Sequence, residues 1–256
     1  MKVNRLKLNQ DKTQFMWNSR KQMLEKISLE EIHARFPDVK FLTLVNDLGV
    51  ILDEGLEMNE QIGSICRSGF YHLRQIRGIR HSSSDAAART AIQAFVMSKI
   101  DYCNSALLGL SQAKVNRVQH VMNAAARMLL KLPKFSHIST QMKNELHWLP
   151  VQERIQFKVI LTTWRCITGC APDYLQELCI LLSGITGRRQ LRSSISSRYL
   201  LEAPKVRTVT MQRRAFAYAG LAFWNAVPES LRSTVLAISL DVLKKQLKTI
   251  LFYNAN

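Results

Sequence analysis

From Met58 onward the apolar residues of this chain recur three or four positions apart in blocks broken at Gly, Pro or Ser, except over residues 183–210, which are rich in Ser, Arg and Gly with weak periodicity and read as an extended basic loop. That spacing places side chains on one face of an α-helix, so the sequence commits most of its length to helices that bury one side against one another. In the first block Ile62, Ile65, Cys66, Phe70, Leu73, Ile76 and Ile79 share the stripe, with Arg67, Arg74, Arg77 and Arg80 mostly off it. Ser82-Ser83-Ser84-Asp85 offers N-cap candidates for a second helix, in which Ala88, Ile92, Phe95, Ile100 and Cys103 are expected to face inward. Gly109 and Ser111 mark the next break. A third helix then has Val115, Val118, Val121, Met122, Ala125 and Leu129 inward, while Lys114, Arg117, Arg127 and Lys131 place positive charge near its surface. Its Ala124-Ala125-Ala126 run adds little bulk and lets a neighbouring helix approach closely.

Pro133 closes that block, and Pro150 precedes a helical pattern through Ile155, Val159, Ile160 and Trp164 that ends near Gly169. Pro172 begins a shorter helix with Tyr174, Leu175, Leu178 and Leu182. Phe216, Ala219, Gly220, Phe223 and Trp224 give another apolar face before Pro228, and a last helix from about Ser239 carries Leu240, Leu243, Leu247 and Ile250 inward. Residues 1–54 read differently. Leu6, Leu8 and later Val39, Phe41, Leu48, Val50 and Leu52 include short alternating runs that suit strands, with turns expected beside Asp47, Gly49 and Asp53-Glu54-Gly55, and a charged helical segment, Ser19 to Ala34, lies between them. The expected fold class is mainly α with a small strand-containing start, divided as 1–54, 55–134 and 135–256. No fixed-period repeat is present, which argues against a solenoid.

The charge narrows the partner. Lys plus Arg number 36 against 19 Asp plus Glu, a net +17 that creates a positive field and favours a polyanion, nucleic acid first and an anionic membrane surface second. No apolar run is long enough to span a bilayer: Leu175 to Ile185 is broken by Gln176, Glu177 and Gly184. Nothing after Met1-Lys2-Val3-Asn4-Arg5 resembles a signal-peptide core, and five cysteines spread over a long chain suit reduced thiols, so an intracellular, non-secreted protein is expected.

Candidate sites follow from the cations. Arg67, Arg74, Arg77 and Arg80 suit a phosphate backbone, because successive helical turns present charge on one side; the same row also reads as a solvated helix face. Between Gly187 and Arg214 lie Arg188, Arg189, Arg192, Arg198, Lys205, Arg207, Arg213 and Arg214 with the single acid Glu202, which suits template or RNA contact or else a basic linker. His147-Trp148 reads as a buried anchor of a helix junction rather than a base-stacking platform, and Trp224 likewise. Cys166, Cys170 and Cys179 with His137 and His147 lack the spacing of a tetrahedral zinc set, and Cys103 has no identifiable base beside it.

Two strings carry more than periodicity: Asn123-Ala124-Ala125-Ala126-Arg127 and Glu145-Leu146-His147-Trp148-Leu149-Pro150, within Leu107 to Pro150. With Leu6-Lys7-Leu8-Asn9, Asp11-Lys12-Thr13, Leu48-Gly49-Val50-Ile51-Leu52-Asp53, Phe70-Tyr71-His72-Leu73-Arg74, Asp101-Tyr102-Cys103-Asn104-Ser105, Leu191-Arg192-Ser193-Ser194, Arg214-Ala215-Phe216 and Leu221 to Pro228, they follow a family order nearly end to end. In this the chain resembles the C-terminal part of the reverse transcriptase of a non-LTR, LINE-type retrotransposon, CR1/L2-like or Jockey-like.

The resemblance implies a palm remnant over 1–54, in which Leu48, Gly49 and Val50 correspond to the primer grip, a helical thumb over 55–134 and a basic helical C-terminal domain over 135–256. It implies RNA, an RNA–DNA hybrid or a DNA duplex as partner, held by Lys12, Arg67, Arg74, Arg77, Arg80, Arg117, Arg127, Lys131, Arg188, Arg189, Arg192, Arg213 and Arg214, and a place in a nuclear or cytoplasmic ribonucleoprotein. It implies no small-molecule substrate and leaves the oligomeric state open. Polymerisation needs paired aspartates holding two metal ions, and no Asp-Asp pair occurs in this sequence. The Mg²⁺ would belong to a palm motif expected before Met1, and the family's nicking endonuclease has no counterpart here. Isolated, the chain is therefore expected to have neither activity; primer extension by the purified protein with Mg²⁺ would overturn that. The alternative is a truncated transposon relic or a helical protein-interaction module.

Overall fold

The structure, a computed structural model, describes residues 9, 12–18, 26, 28–37, 39–182, 199–204 and 212–254. It is mainly helical with one two-stranded antiparallel sheet, as the periodicity predicts. Two compact units divide the chain, Met1–Ser68 and Gly69–Asn256.

In the first unit, α1 (Leu29–Arg35) starts at Ser28, whose hydroxyl accepts from the Glu31 N–H. The hairpin pairs β1 (Leu44–Asp47) with β2 (Val50–Asp53), in the register Leu44↔Asp53 to Asp47↔Val50. This corrects the reading of Leu48 as strand and agrees with the turn expected beside Asp47 and Gly49. Leu48 and Gly49 form the two-residue turn, with φ of 47° and 83°, the pattern of a type I′ loop, which needs positive φ at both central positions, and glycine supplies one of them without strain. Asn46 Oδ1 accepts from Gly49 N–H at 2.9 Å and fixes the turn, while Leu48 is 85% exposed at its tip. The free edge of β2 is satisfied from α2 (Asn59–Ile79): buried Gln61 accepts the Ile51 N–H at 3.0 Å through Oε1. Trp17 stacks on Phe41 at 5.4 Å, beside a Phe15–Phe41 bridge.

The second unit begins within α2. Its next helix opens at Ser84, which accepts the Ala87 N–H at 3.1 Å, and runs as α3 (Asp85–Ile92), a π segment (Gln93–Met97) and α4 (Ser98–Asp101). A π turn takes one extra residue, so it rotates the face that follows. Ala88, Ile92, Val96, Met97 and Ile100 are buried together, and Phe95 is turned out, 52% exposed, contrary to the inward face expected for it. Cys103, also expected inward, is exposed because the helix has ended and the residue takes φ 47°. Phe70, in the middle of the α2 stripe, and Ile79, at its end, are likewise exposed, while Leu73 and Ile76 between them are buried.

The third predicted helix is α5 (Gln112–Leu129), with every expected inward residue buried. It packs on α3, on α6 (Ser139–Asn144) and on α7 (Val151–Ile167). α8 (Asp173–Gln176) is shorter than predicted, and Tyr174 and Leu178 are exposed. α9 (Phe216–Asn225) lies on α7, followed by α10 (Glu229–Arg232) and α11 (Leu240–Asn254), which also packs on α7. Their apolar faces enclose one cluster that includes Ile160, Trp164, Leu201, Trp224, Leu243 and Leu247. Both tryptophans satisfy their indole N–H inside it, Trp164 on Val235 O at 3.2 Å and Trp224 on Tyr199 O at 2.7 Å. Asn225 pairs its carboxamide with both backbone groups of Leu201, at 2.8 and 2.9 Å, in place of a neighbouring strand.

Residues 69–256 form the second unit. Arg154 holds Asp101 through two bonds, at 2.7 and 2.9 Å, and Gln119 accepts the Val151 N–H at 2.8 Å, so the segments on either side of Pro133 are tied together.

Candidate nucleic-acid interface

Cations converge where α2 ends and α3 begins. Arg80 donates to Ser83 O at 3.1 Å and to the Asp85 carboxylate, and its side chain is only 14% exposed. Lys131, just past the end of α5 and with φ 54°, reaches the same carboxylate at 3.1 Å. These donors, Arg80 first and then Lys131, hold the Asp85 carboxyl below its usual range. One anion thus orders two cations, and a shallow cleft lined by Arg77, Arg80, His81 and Lys131 keeps a positive excess. Arg77 and Arg74 are exposed on the preceding turns of α2.

An aromatic patch lies on the same helix. His72 stacks on Phe95 at 5.4 Å and 26°, and Tyr71 meets His72 edge-on at 5.3 Å, with Phe70 and Tyr71 exposed. Periodicity misses this patch, because it assigns Phe70 and Phe95 to the core; the π segment that turns Phe95 out leaves no simple repeat in the sequence.

The other predicted site residues are dispersed. Arg67, in the first unit, sits 3.9 Å from Glu60 on an exposed surface, too loose and wet to contribute much. Lys12 is exposed, its backbone N–H bonded to Asn9. Arg117 is exposed on α5 and Arg213 in the 3₁₀ turn Gln212–Arg214. Arg127 and Arg214 have structural partners: Arg127 Nε donates to Ser136 O at 3.0 Å, and Arg214 Nε to Leu108 O at 3.0 Å. Gly109, φ 67°, lets Arg214 lie across it, since a Cβ there would fall 2.4 Å from Arg214 Cγ. Arg188, Arg189, Arg192, Arg198, Lys205 and Arg207 lie outside the described residues, as do the strings Leu6-Lys7-Leu8 and Leu191-Arg192-Ser193-Ser194.

A second site contains none of the predicted site residues. Gln112, Asn116, Gln119 and Asn123 form a carboxamide stripe along α5 and line a cavity of about 340 Å³ together with Trp148, Pro150, Glu153 and Phe252. Gln112 bonds to Asn116 at 2.9 Å and Gln119 to Asn123 at 2.8 Å. The Glu153 carboxyl has a buried, unpartnered Oε2 and is pushed up by that burial. Spacings of four, three and four between Asn or Gln residues are the signal that could have found it, and the polar face they make lies beside the apolar stripe rather than within it.

Among the described residues no group of three or more His, Cys, Asp or Glu is placed to hold a metal ion. Cys166 and Cys179 share a hydrogen bond, and burial pushes the Cys179 thiol up to about 12, so it is a poor nucleophile at neutral pH. No described helix is long and apolar enough to cross a membrane. No protein-family model, curated protein or solved structure matches this chain.

Proposed function

We propose that this chain binds nucleic acid through backbone phosphates, as the thumb-like and C-terminal part of a non-LTR retrotransposon reverse transcriptase, and that it does not polymerise by itself. The observation that carries the reading is the cationic cleft of Arg77, Arg80 and Lys131, continued by exposed Arg74. Phosphate contacts of this kind position a strand without reading its bases, and they release counterions on binding. The partner is an RNA, an RNA–DNA hybrid or a DNA duplex. Mg²⁺ chemistry would require the paired aspartates that this sequence lacks.

The test is fluorescence anisotropy with RNA and duplex probes over a salt series. Wild-type affinity falls steeply with salt, and Arg74→Glu with Arg77→Glu weakens binding at low salt and flattens the salt slope by about 0.9 for each phosphate no longer neutralised. Circular dichroism of the double variant stays unchanged, since both side chains are exposed. Salt-insensitive or absent binding overturns the reading. It would favour a helical protein-interaction module, for which the exposed patch of Phe70, Tyr71 and Phe95 is the specific support.

A further inference from the structure

Residues from both landmark strings, Asn123 from one and Trp148 with Pro150 from the other, meet at the carboxamide cavity of the second unit. Its hydrogen-bonding polarity is determined by a group that can only donate. The Val151 N–H, in the first turn of α7 where no intrahelical acceptor exists, bonds to Gln119 Oε1 at 2.8 Å. Gln119 must therefore turn its amide nitrogen toward Asn123, whose oxygen accepts it at 2.8 Å. Asn123 is left with its NH₂ as a donor at the cavity. Glu153, which lines the same cavity, contributes an acceptor, the buried Oε2 that no protein group satisfies. Trp148 and Phe252 add aromatic surface, and the volume of about 340 Å³ lies within the range of about 300–1,000 Å³ found for small-ligand pockets.

A flat ligand with an acceptor beside a donor meets both groups. The Watson–Crick edge of an unpaired nucleobase has that arrangement, and a base paired in a duplex has no such edge free. The phosphate of a strand has acceptors only, so it leaves the Glu153 acceptor unmatched. The net +17 and the cationic Lys143 at the lining favour a base delivered on a polyanionic strand over an uncharged amide ligand. We propose that this cavity receives a single unpaired base splayed out of a bound strand, so that the chain distinguishes single-stranded from duplex nucleic acid. The inference rests on the proposed nucleic-acid binding, and it adds a site where the strand is read by its bases rather than its phosphates.

The experiment compares one short single-stranded RNA with the same strand annealed to its complement, by anisotropy, for wild type, Asn123→Ala and Glu153→Met, the last of which removes the acceptor that a glutamine would keep. The expected result is a fall of about ten-fold in single-strand affinity for each variant, the size of one hydrogen-bonded pairing to a base edge, with duplex affinity and salt slope unchanged. As a check independent of variant folding, cytidine or adenosine added to the wild-type protein shifts the side-chain amide NMR signals of Gln119 and Asn123, and ribose 5-phosphate does not. Salt-sensitive binding with an unchanged single-strand to duplex ratio in the variants, or equal shifts from ribose 5-phosphate, overturns the base pocket and leaves phosphate binding standing. Absence of binding to either probe overturns both.

Discussion

Gly69 and Gly78 occupy the same helix with opposite surroundings, and the difference separates packing from propensity. A Cβ on Gly69 would lie 2.5 Å from Val121 Cγ1, so the missing side chain is what lets α2 approach α5. A Cβ on Gly78 meets nothing within 4 Å. Gly69→Ala should therefore destabilise by about 1–3 kcal/mol through overpacking, whereas Gly78→Ala should stabilise by about 0.5–1 kcal/mol through helix propensity. Urea unfolding followed by circular dichroism measures both, and the same sign for the two substitutions would refute the distinction. Such residues are hard to read from sequence. The alanine run of α5 announces a close approach, but nothing local to Gly69 names Val121 as its neighbour. Asn225 and Gln119 are similar cases: each side chain completes a backbone distant in sequence, at Leu201 and Val151, and such pairings leave no periodic trace.

At the scale of elements, the helices and caps are legible because their causes are local. Ser84 accepts an N-terminal amide within the serine cluster that suggests a cap, and α5 buries the face that its spacing of three and four defines, whereas Ser28, inside the expected helical segment Ser19 to Ala34, caps α1 without such a cluster. The π segment is not legible, since its single extra residue shifts the phase by about 100° without changing composition. Deletion tests this. Removing exposed Ala94 narrows the arc on which Ala88, Ile92, Val96, Met97 and Ile100 would lie in a regular α-helix from about 180° to about 100°, so the variant should remain cooperatively folded. Removing exposed His120 from α5 rotates the buried Val121, Met122, Ala125 and Leu129 out of their face, and the variant should lose its cooperative melt. Equal damage from both deletions would show that the π turn is not an absorbed insertion. The hairpin divides in the same way: alternation locates β2, while the turn at Leu48 and Gly49 depends on loop length, which fixes backbone angles that alternation does not encode.

At the scale of the molecule, the second unit draws its main cluster from distant parts of the chain, from Leu149 through Trp164 and Trp224 to Leu251. Leu243 and Leu247 are fully buried in it and Leu251 nearly so. Burial of a leucine contributes about 1.5–3 kcal/mol, so losing these three removes about 5–9 kcal/mol, against a typical total stability of about 5–15 kcal/mol. Truncation after Ser239 should therefore leave the second unit without fixed tertiary packing, seen as collapse of the near-ultraviolet circular dichroism and of methyl dispersion in NMR. Retention of both would mean that α11 is an appendage. The basic excess is legible as a whole-molecule property, whereas the joining of Arg80 and Lys131 through Asp85 requires the fold. The position of α11 also sets a schedule. Synthesis delivers residues in order at about 5–20 per second. Trp164 and Trp224 therefore emerge before the leucines that cover them, and the nascent second unit must hold exposed apolar surface until α11 clears the ribosome. Its yield in a cell will depend on chaperone supply during that interval.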